Sequence, residues 1–521
     1  MSVTLTCYGG AGEIGGNKIL LEDGETRLFF DFGVPFGRQQ RFFNEYLRPR
    51  AARGLLDLLA LDLIPPLEGL YREDLALPGL WERFRGHPQY RNLHREGRDP
   101  VDAVFVSHAH LDHNGDLSYL DPTIPIYSSR CTAFIARAMQ VTGQSSFERE
   151  LTYINPRFLS ESGELQSDKR SNYKARCCAF LDGCLSEEAK AFWERSPVSK
   201  QLEPAPAKEA EGTAGGLRFR WWPVDHSVPG AAGFAVETSA GWVGYTGDIR
   251  FHGRQAGESR SFVEELAALR PAALLCEGTH LERENLMTEA NVVENALVLA
   301  KGAGGRLAIA DFGPRNVERL ASFLEIAKET GRRLVVQPKD LYLLKAIALA
   351  DAFPEPASLQ GLLIYADPKA APRPWEKALR EEWHERTVGP DEVSARPGDY
   401  ILCFSLWDTN DLLDLQGVKG GIYLYSNSRA YDDEQAADLE RLRNWVNHVG
   451  LQLYGDPDKP ETTPLHASGH ASGEELVEMV KKVKPQILIP IHTESPELWL
   501  SELQGTGIEV HIPERGRAFR L

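Results

Sequence analysis

The sequence predicts an α/β protein whose first half is rich in β-strands and whose second half alternates strands with helices. Two apolar segments, 3–8 and 27–32, bracket a glycine-rich turn at 9–16, and we interpret them as the hairpin that opens a β-sandwich. After about Glu277 the pattern changes to strand–helix alternation, which is typical of a parallel sheet. Because 521 residues exceed one ordinary hydrophobic core, two or three domains are expected.

The remaining elements follow from hydrophobic periodicity. Residues 34–100 have a helical and charged pattern, whereas residues 145–216 are irregular. Within the irregular part, 202–216 is rich in Pro, Ala, Glu and Gly and predicts a linker or an exposed loop. The further predicted strands are 101–107, 217–222, 232–238, 242–246, 306–311, 332–337, 400–405, 421–425, 486–492, 509–512 and 518–521, and the predicted helices are 316–330, 339–350, 434–449 and 473–483.

Composition places the chain among ordinary globular proteins, with 42% hydrophobic and 26% charged residues. No apolar run is long enough to span a bilayer, so no membrane association is expected. The N-terminus enters a strand pattern without a basic segment or a cleavage site, and the seven cysteines are an odd number. Both observations predict a cytoplasmic protein with reduced thiols.

The net charge of −17 argues against a broad basic surface for nucleic acid. If the substrate is a nucleic acid, its phosphates must be met by a local groove or by metal ions. Composition alone therefore does not indicate a nuclease.

A histidine-rich loop directly after the predicted strand 101–107 is the most informative segment. His108, His110, Asp112 and His113 place three imidazoles and a carboxylate within six residues. A loop at the edge of a sheet can direct these groups toward one point, whereas a helix would distribute them around its circumference. Nitrogen and oxygen ligands of this kind suit zinc or manganese.

Three further candidate ligands also follow strand-like segments. His226 follows 219–224, Asp248 follows 242–245 and His492 follows 487–491. Each residue alone is more often a hydrogen-bonded polar group at the end of a strand. Together with the histidine-rich loop, they predict a set of loops that meet at one edge of a sandwich.

This pattern, with Asp31 in Phe-Phe-Asp-Phe-Gly, resembles the metallo-β-lactamase superfamily. The resemblance implies an αββα sandwich that holds two divalent metal ions, with zinc expected and manganese as the alternative. The implied ligands are His108, His110 and His226 for one ion, Asp112, His113 and His492 for the other, and Asp248 as the bridge between them.

Glu277, His470 and His492 resemble motifs A, B and C of the β-CASP nuclease branch. The segments 9–17 (GGAGEIGGN), 466–472 (HASGHAS) and 490–492 (PIH) are similar to the RNase J family. The chain ends 29 residues after His492, which predicts that the C-terminal domain of RNase J is absent. The resemblance implies a metallo-β-lactamase domain at 1–284, with insertions near 34–100 and 145–216, an inserted α/β β-CASP domain at 285–455, and a C-terminal part of the first domain at 456–521.

The resemblance implies a metal-dependent ribonuclease that uses a bridging hydroxide, acts as a 5′–3′ exonuclease and has a further endonuclease option. Histidine at motif C, here His492, is the residue of RNA-processing branches, so single-stranded RNA is the expected partner and DNA is less favoured. The alternatives are a DNA-directed β-CASP nuclease, another metallohydrolase of phosphate or sulfate esters, and a non-catalytic binding protein. The intact ligand set argues against the last. For the oligomeric state, the resemblance is compatible with a homodimer.

The predicted catalytic residues are Asp112, His470 and Glu277. His470 is the candidate general acid for the leaving 3′ oxygen, and Glu277 would orient it. The alternative for His470 is a structural role beside the start of the helix at 473. By resemblance to RNase J, two turns at helix starts would also form a pocket for a 5′-monophosphate, and their residues are His466, Ser468, Gly469, His470, Gly313, Arg315 and Asn316.

Overall fold

The computed structural model describes residues 2–44, 46–198, 200–282, 287–369, 371–459 and 463–521. Two mixed sheets pack face to face and helices cover their outer faces, while a third sheet is parallel throughout. The boundary predicted between residues 284 and 285 lies outside the described residues, so the division into domains stays a prediction. Within the described ranges, no helix has the length and apolar character needed to cross a membrane.

The first sheet has eight strands. Its half nearest the chain termini is antiparallel, and its other half is parallel. In spatial order the strands are Ala207–Glu209, Cys178–Phe180, Ile126–Ser128, Ala103–Phe105, Thr26–Phe30, Lys18–Asp23, Thr4–Gly9 and Ala518–Arg520.

The second sheet has seven strands and the same division into an antiparallel and a parallel half. Its two parallel partners Ala273–Glu277 and Ile487–Ile491 bring the middle and the end of the chain together. In spatial order the strands are Thr213–Ala214, Leu217–Pro223, Ala232–Thr238, Gly241–Tyr245, Ala273–Glu277, Ile487–Ile491 and Glu509–Val510.

The core between these two sheets is aromatic. Phe30 and Phe105 of the first sheet meet Phe234 and Tyr245 of the second, and all four side chains are fully buried. Burial of each such side chain stabilises the fold by about 1.5–3 kcal/mol. The alternation of inward and outward residues along each strand therefore holds the two sheets in one orientation.

The outer face of the second sheet is covered by the helices Ala256–Leu269 and Gly473–Val483. Apolar residues four positions apart, such as Phe262 with Leu266 and Leu476 with Val480, point at the sheet. The segment predicted as an insertion at 34–100 covers the outer face of the first sheet instead, since its leucines are buried in one cluster with that sheet.

The third sheet is parallel and lies between residues 308 and 454. Helix Val317–Glu329 packs on one of its faces and helix Asp433–Val449 on the other. Such near-continuous apolar strands need cover on both sides. In spatial order the strands are Thr387–Val388, Leu362–Tyr365, Arg333–Val336, Tyr400–Cys403, Ala308–Asp311, Ile422–Tyr425 and Gln452–Tyr454.

Short strands and helices complete the described structure. Three small sheets contain the pairs Leu67–Glu68 with Arg91–Asn92 and Arg157–Leu159 with Leu165–Ser167, and the trio Leu202–Glu203, Tyr173–Ala175 and Tyr153–Ile154. The other α-helices are Phe36–Gln39, Leu56–Ala60, Leu80–Phe84, Leu111–Asn114, Arg130–Thr142, Glu187–Glu194, Glu289–Gly302, Pro338–Leu349, Pro374–Glu382, Pro390–Ala395 and Leu498–Glu502. The 3₁₀ helices are Ala51–Arg53, Glu73–Leu75, Gly115–Tyr119, Phe147–Arg149, Pro356–Ser358, His384–Arg386, Pro397–Asp399 and Leu406–Asp414.

Two predictions of local structure are wrong. The partner of the first strand is Lys18–Asp23, which precedes the segment expected in the hairpin. Hydrophobicity does not indicate this strand, because it begins with a lysine. The side chain of Lys18 is nevertheless buried, where it pairs with Asp116 at 2.8 Å. The predicted linker at 202–216 contains Ala207–Glu209, which forms the edge of the first sheet.

Candidate metal centre and catalytic site

Four loops at one edge of the sandwich bring the predicted ligands together. Each loop follows a strand that ends at this edge, so the side chains of both sheets point into the same cleft. The strands and the residues after them are Ala103–Phe105 with His108 to His113, Leu217–Pro223 with His226, Gly241–Tyr245 with Asp248, and Ile487–Ile491 with His492.

His108, His110, His226 and Asp248 form the first cluster, in which the donor atoms lie within 4.8 Å of one another. His110 Nδ1 is 2.9 Å from His108 Nε2 and 3.1 Å from His226 Nε2. Three imidazole nitrogens thus face one point, as the lone pairs of neutral histidines do around a cation.

Asp112, His113 and His492 form the second cluster. His492 Nε2 lies 3.3 Å and His113 Nε2 3.8 Å from Asp112 Oδ2. Asp248 lies between the clusters, because its Oδ2 is 3.1 Å from His113 Nε2 and 3.6 Å from His108 Nε2. The arrangement matches the predicted ligand set, with Asp248 in the bridging position, and the assignment of each ligand stays a prediction.

Hydrogen bonds behind the histidines orient the donor atoms. The Nδ1 atoms of His113 and His492 lie 2.7 Å from Asp31 Oδ2 and 2.8 Å from Thr279 Oγ1, so each Nε2 faces the cleft. His113 Nε2 and Asp248 Oδ1 are buried with no hydrogen-bond partner among the described residues. Unpaired buried atoms of this kind are costly, and divalent cations would satisfy them.

The electrostatics of the two clusters differ. Burial lowers the pKa of His110 to about 3, and burial together with the neighbouring histidines holds the pKa of His108 and His226 well below the usual value. Burial also acts to lower the pKa of His113, but the carboxylates of Asp248, Asp112 and Asp31 outweigh it and raise that pKa. The three histidines of the first cluster are therefore neutral at pH 7, as metal ligation requires.

Asp31 lies behind the histidine-rich loop and holds it in place. Its carboxylate accepts hydrogen bonds from the backbone N–H of Ser107 at 2.7 Å, from the Ser107 hydroxyl at 2.8 Å and from the Tyr245 hydroxyl. Gly33 packs directly on Asp112, where a Cβ would overlap the Asp112 carbonyl. The glycine-rich turn and the Phe-Phe-Asp-Phe-Gly segment thus position ligands.

His470 and Glu277 form the predicted pair beside the clusters. His470 Nδ1 is 2.8 Å from Glu277 Oε2, and its Nε2 is 4.0 Å from Asp248 Oδ2. Ser472 and Glu475 form the capping box of the helix Gly473–Val483, so capping does not need the His470 side chain. Glu277 is fully buried and also accepts a hydrogen bond from the Ile249 backbone N–H at 2.7 Å.

Thr279 is a functional candidate that no local sequence pattern reveals. Its single hydroxyl proton goes to Glu277 Oε2 at 2.7 Å, so the hydroxyl oxygen accepts from His492 Nδ1–H. Thr279 therefore links the carboxylate that orients His470 to a ligand of the second cluster. Only the three-dimensional contact, across 213 residues of sequence, identifies it.

Arg250 joins the metal loops to the helices beside the third sheet. The buried guanidinium donates to Asp225, the neighbour of His226, at 3.0 Å and to the Ser468 carbonyl at 3.1 Å. It also pairs with Glu289 at 2.9 Å and Glu318 at 2.6 Å, at the starts of two helices. Carboxylates are favourable at helix N-termini, and here they extend the charge network across the cleft.

The two turns predicted to bind a terminal phosphate lie in different environments. Arg315 reaches the histidine-rich loop, where its Nη1 donates to the Ala109 carbonyl at 2.8 Å. Asn316 caps the helix Val317–Glu329 through Arg319 N–H at 3.0 Å, which explains its side chain without a ligand. Gly313 is exposed.

On the other turn, the Gly469 carbonyl receives His226 Nδ1–H. The Ser468 hydroxyl contacts His280 Nε2 at 2.9 Å and accepts the His470 backbone N–H at 3.1 Å. Burial and the nearby Arg319 lower the pKa of His466 to about 4. The phosphate pocket stays a prediction.

Comparison with known proteins identifies the scaffold. Residues 78–278 match a family model described as the metallo-beta-lactamase superfamily. Over these residues the chain is similar to this superfamily. Residues 459–513, which include His466, His470 and His492, match a second model described as a Zn-dependent metallo-hydrolase RNA specificity domain. These matches and the two packed sheets confirm the predicted fold class and indicate a divalent metal site.

Proteins named Ribonuclease J are among the relatives of this chain. The one from Sinorhizobium meliloti is 24% identical over 415 residues, covering 77% of this chain and 59% of the relative. The one from Mycolicibacterium smegmatis is 22% identical over 500 residues, covering 94% of this chain and 68% of the relative. The chain thus spans about 59% to 68% of the length of these relatives.

The fold also recurs in a solved structure. A crystal structure described as a protein of unknown function from Enterococcus faecalis superposes with a TM-score of 0.67, at 22% identity, over the whole of both chains. The resemblance to RNase J predicted from the motifs is confirmed by the relatives named Ribonuclease J together with the two domain matches.

Asp248→Ala should reduce metal occupancy at both clusters, because its carboxylate lies between them. Elemental analysis of purified protein should find two ions per chain in the wild type and less than one in the variant. Glu264→Ala, on the exposed face of the helix Ala256–Leu269, is the control and should retain both ions. Full occupancy in Asp248→Ala would rule out the bridging position.

Thr279→Val should weaken binding of one ion by about 10- to 100-fold, the usual effect of removing a group behind a metal ligand. The affected cluster is the one that contains His492, since valine cannot accept its Nδ1–H. Titration of metal against a chelator measures the two affinities separately. Thr279→Ser keeps the hydroxyl and should bind both ions with wild-type affinity. If the valine variant also bound both ions with wild-type affinity, Thr279 would not support the ligand His492.

Proposed function

We propose that this protein is a metal-dependent ribonuclease that cleaves single-stranded RNA at a two-ion centre. The observation that carries the proposal is the position of Asp248, which is within 3.1–4.0 Å of histidines of both clusters and of His470. A carboxylate shared by two ligand clusters, with an acid–base pair beside it, suits phosphodiester hydrolysis. The relatives named Ribonuclease J and the RNA-specificity match support RNA as the substrate.

We propose that both ions are zinc. Manganese is the alternative, and elemental analysis of the purified protein distinguishes the two metals. Divalent cations in these clusters would supply positive charge that activates water and stabilises negative charge developing on the phosphoryl oxygens. The ligands proposed are His108, His110 and His226 on one side, and Asp112, His113 and His492 on the other, with Asp248 shared.

His470 is the proposed proton donor. Nδ1–H is held by Glu277, which directs Nε2 toward the cleft at Asp248. Burial acts to lower the pKa of His470, but the carboxylates of Glu277 and Asp248 raise it to about 9. A protonated Nε2 in this position can deliver a proton to the leaving 3′ oxygen.

Arg315 is the proposed phosphate contact nearest the clusters. It reaches the histidine-rich loop from the turn before the helix Val317–Glu329 and donates to the Ala109 carbonyl at 2.8 Å. A guanidinium has five N–H donors in a planar fork, so one bond to a carbonyl leaves donors for a phosphate oxygen. This local cation is consistent with binding a polyanion despite a net charge of −17.

The direction of degradation follows from a pocket for the 5′ end. We place this pocket at the His466–His470 turn, which is adjacent to His226 through the Gly469 carbonyl. A terminal phosphate held there would put the cleaved bond a fixed distance from the 5′ end, as a 5′–3′ exonuclease requires. A DNA-directed nuclease of the same branch is the alternative.

His470→Ala should lower the rate of RNA cleavage by about 10²- to 10⁴-fold, the usual effect of losing a general acid, while metal content stays near that of the wild type. The measurement pairs single-turnover rates on labelled RNA with elemental analysis. His384→Ala, an exposed histidine far from the ligand clusters in sequence, is the control. Loss of metal in His470→Ala would make His470 a ligand instead of an acid.

A competition among three substrates tests the pocket and the choice of nucleic acid. 5′-Phosphorylated RNA should exceed 5′-hydroxyl RNA by about ten- to a hundredfold in kcat/KM, since charged hydrogen bonds contribute about 1.5–3 kcal/mol. RNA should also exceed 5′-phosphorylated single-stranded DNA, because the 2′-hydroxyl distinguishes the two. Equal rates on both RNA ends would remove the pocket, and faster DNA cleavage would favour the DNA-directed alternative.

A further inference from the structure

A cavity of about 400 Å³ lies at the carboxyl-end edge of the third sheet, outside the two metal clusters. Three neighbouring strands end at it: Tyr400–Cys403, Ala308–Asp311 and Ile422–Tyr425. The helix after the middle strand packs on one face of the sheet, whereas the helical segments after its two neighbours pack on the opposite face. After these neighbouring strands the chain therefore turns toward opposite faces of the sheet. Open α/β sheets bind ligands at such switch points.

Aromatic side chains form part of the cavity wall. Phe312, Phe404, Trp407 and Tyr425 all line it. The Trp407 side chain is 68% exposed, which is unusual for the largest apolar residue type unless it has a partner to cover it. A planar ring can stack on such a wall.

The floor of the cavity holds a buried carboxylate. Asp311 accepts the Tyr423 hydroxyl at 2.7 Å and the Asn427 side-chain N–H at 2.8 Å. Burial raises the pKa of Asp311 to about 7. Each carboxylate oxygen carries two lone pairs, so Asp311 can accept further hydrogen bonds on the cavity side.

Acidic groups outnumber basic ones around the cavity. Lys339 is paired with Asp408 at 2.9 Å and Arg441 with Asp438, and Asp340 adds a further carboxyl group beside Asp311. Asp408 also caps the 3₁₀ helix Leu406–Asp414 with Ser405, so capping explains this acid. Capping explains neither the open volume nor the exposed tryptophan. This charge disfavours phosphate and favours a neutral ligand that offers N–H donors.

We propose that this cavity binds a purine base of guanine type, by stacking on Trp407 and by donation of adjacent ring and amino N–H groups to the Asp311 carboxylate. Guanine presents two such N–H groups side by side, which one carboxylate can accept together. Uracil presents one N–H between two carbonyl oxygens, and those oxygens would face carboxylates. The sugar and phosphate of the nucleotide would lie outside the acidic cavity.

Hydrogen bonds connect the cavity wall to the His466–His470 turn of the proposed active site. Ser426, next to the lining residue Tyr425, donates its N–H to the Asp311 carbonyl at 2.7 Å, and Arg319 Nη1 donates to the Ser426 carbonyl at 3.0 Å and to the Leu465 carbonyl at 3.1 Å. Leu465 immediately precedes the His466–His470 turn. The inference rests on the proposed function in that the base would belong to an RNA strand whose backbone passes this turn.

Equilibrium binding of nucleosides to the full-length, metal-loaded protein tests the proposal, because nucleosides contain no phosphodiester to cleave. Guanosine should bind saturably and at least tenfold more tightly than uridine. Trp407→Ala should weaken guanosine binding by about five- to a hundredfold, the range for loss of one stacked base. Leu413→Ala removes an exposed side chain of the same 3₁₀ helix that does not line the cavity, and should leave binding unchanged.

Two further variants separate this site from the metal centre. Asp311→Asn replaces one acceptor oxygen with a donor and should reduce the preference for guanosine over uridine, whereas Asp248→Ala should leave guanosine affinity unchanged. These two results would support a base-binding site in the cavity whether or not the protein cleaves RNA. The cleavage assays test the ribonuclease proposal separately. Equal binding of guanosine and uridine, no effect of Trp407→Ala, or loss of guanosine binding in Asp248→Ala would overturn it.

Discussion

The carboxylate of Asp248 is the group around which the rest of this protein is arranged. Five histidines from four loops lie within 4.0 Å of its oxygens, and it is almost completely buried. A charge in such a place is tolerated only with compensating partners. Both sheets must therefore end at the same edge, and the helices and third sheet around them hold that edge in position.

Much of this arrangement could be predicted because it depends on short-range pattern. Strand ends are visible from hydrophobic periodicity, and the histidine-rich loop carries four donor residues in one run, so His226, Asp248 and His492 could be sought at other strand ends. The strand Lys18–Asp23 could not be predicted, because a buried lysine looks like a surface residue until Asp116 is placed beside it. The role of Thr279 could not be predicted either, because it depends on contacts with residues that are distant in sequence.

Charge is distributed very unevenly in this molecule. The interior pairs charges of both signs, as where Arg250 and Arg319 share Glu289, so the net charge of −17 says little about any single site. Arg315 lies beside the metal clusters, whereas carboxylates dominate the cavity of the third sheet. A nucleotide could thus meet a cation at its phosphate and acceptors at its base, with the two chemistries kept on separate surfaces.

The last strands of the chain complete both sheets. Ala518–Arg520 pairs with Thr4–Gly9, and Ile487–Ile491 carries His492 to Asp112, 380 residues away in sequence. At about 5–20 residues per second, a ribosome would need about 20–75 s to synthesise the chain between those two residues. Throughout that time the histidine-rich loop lacks its last partner. Topology therefore delays assembly of the second ligand cluster until the strand Ile487–Ile491 and His492 have been synthesised.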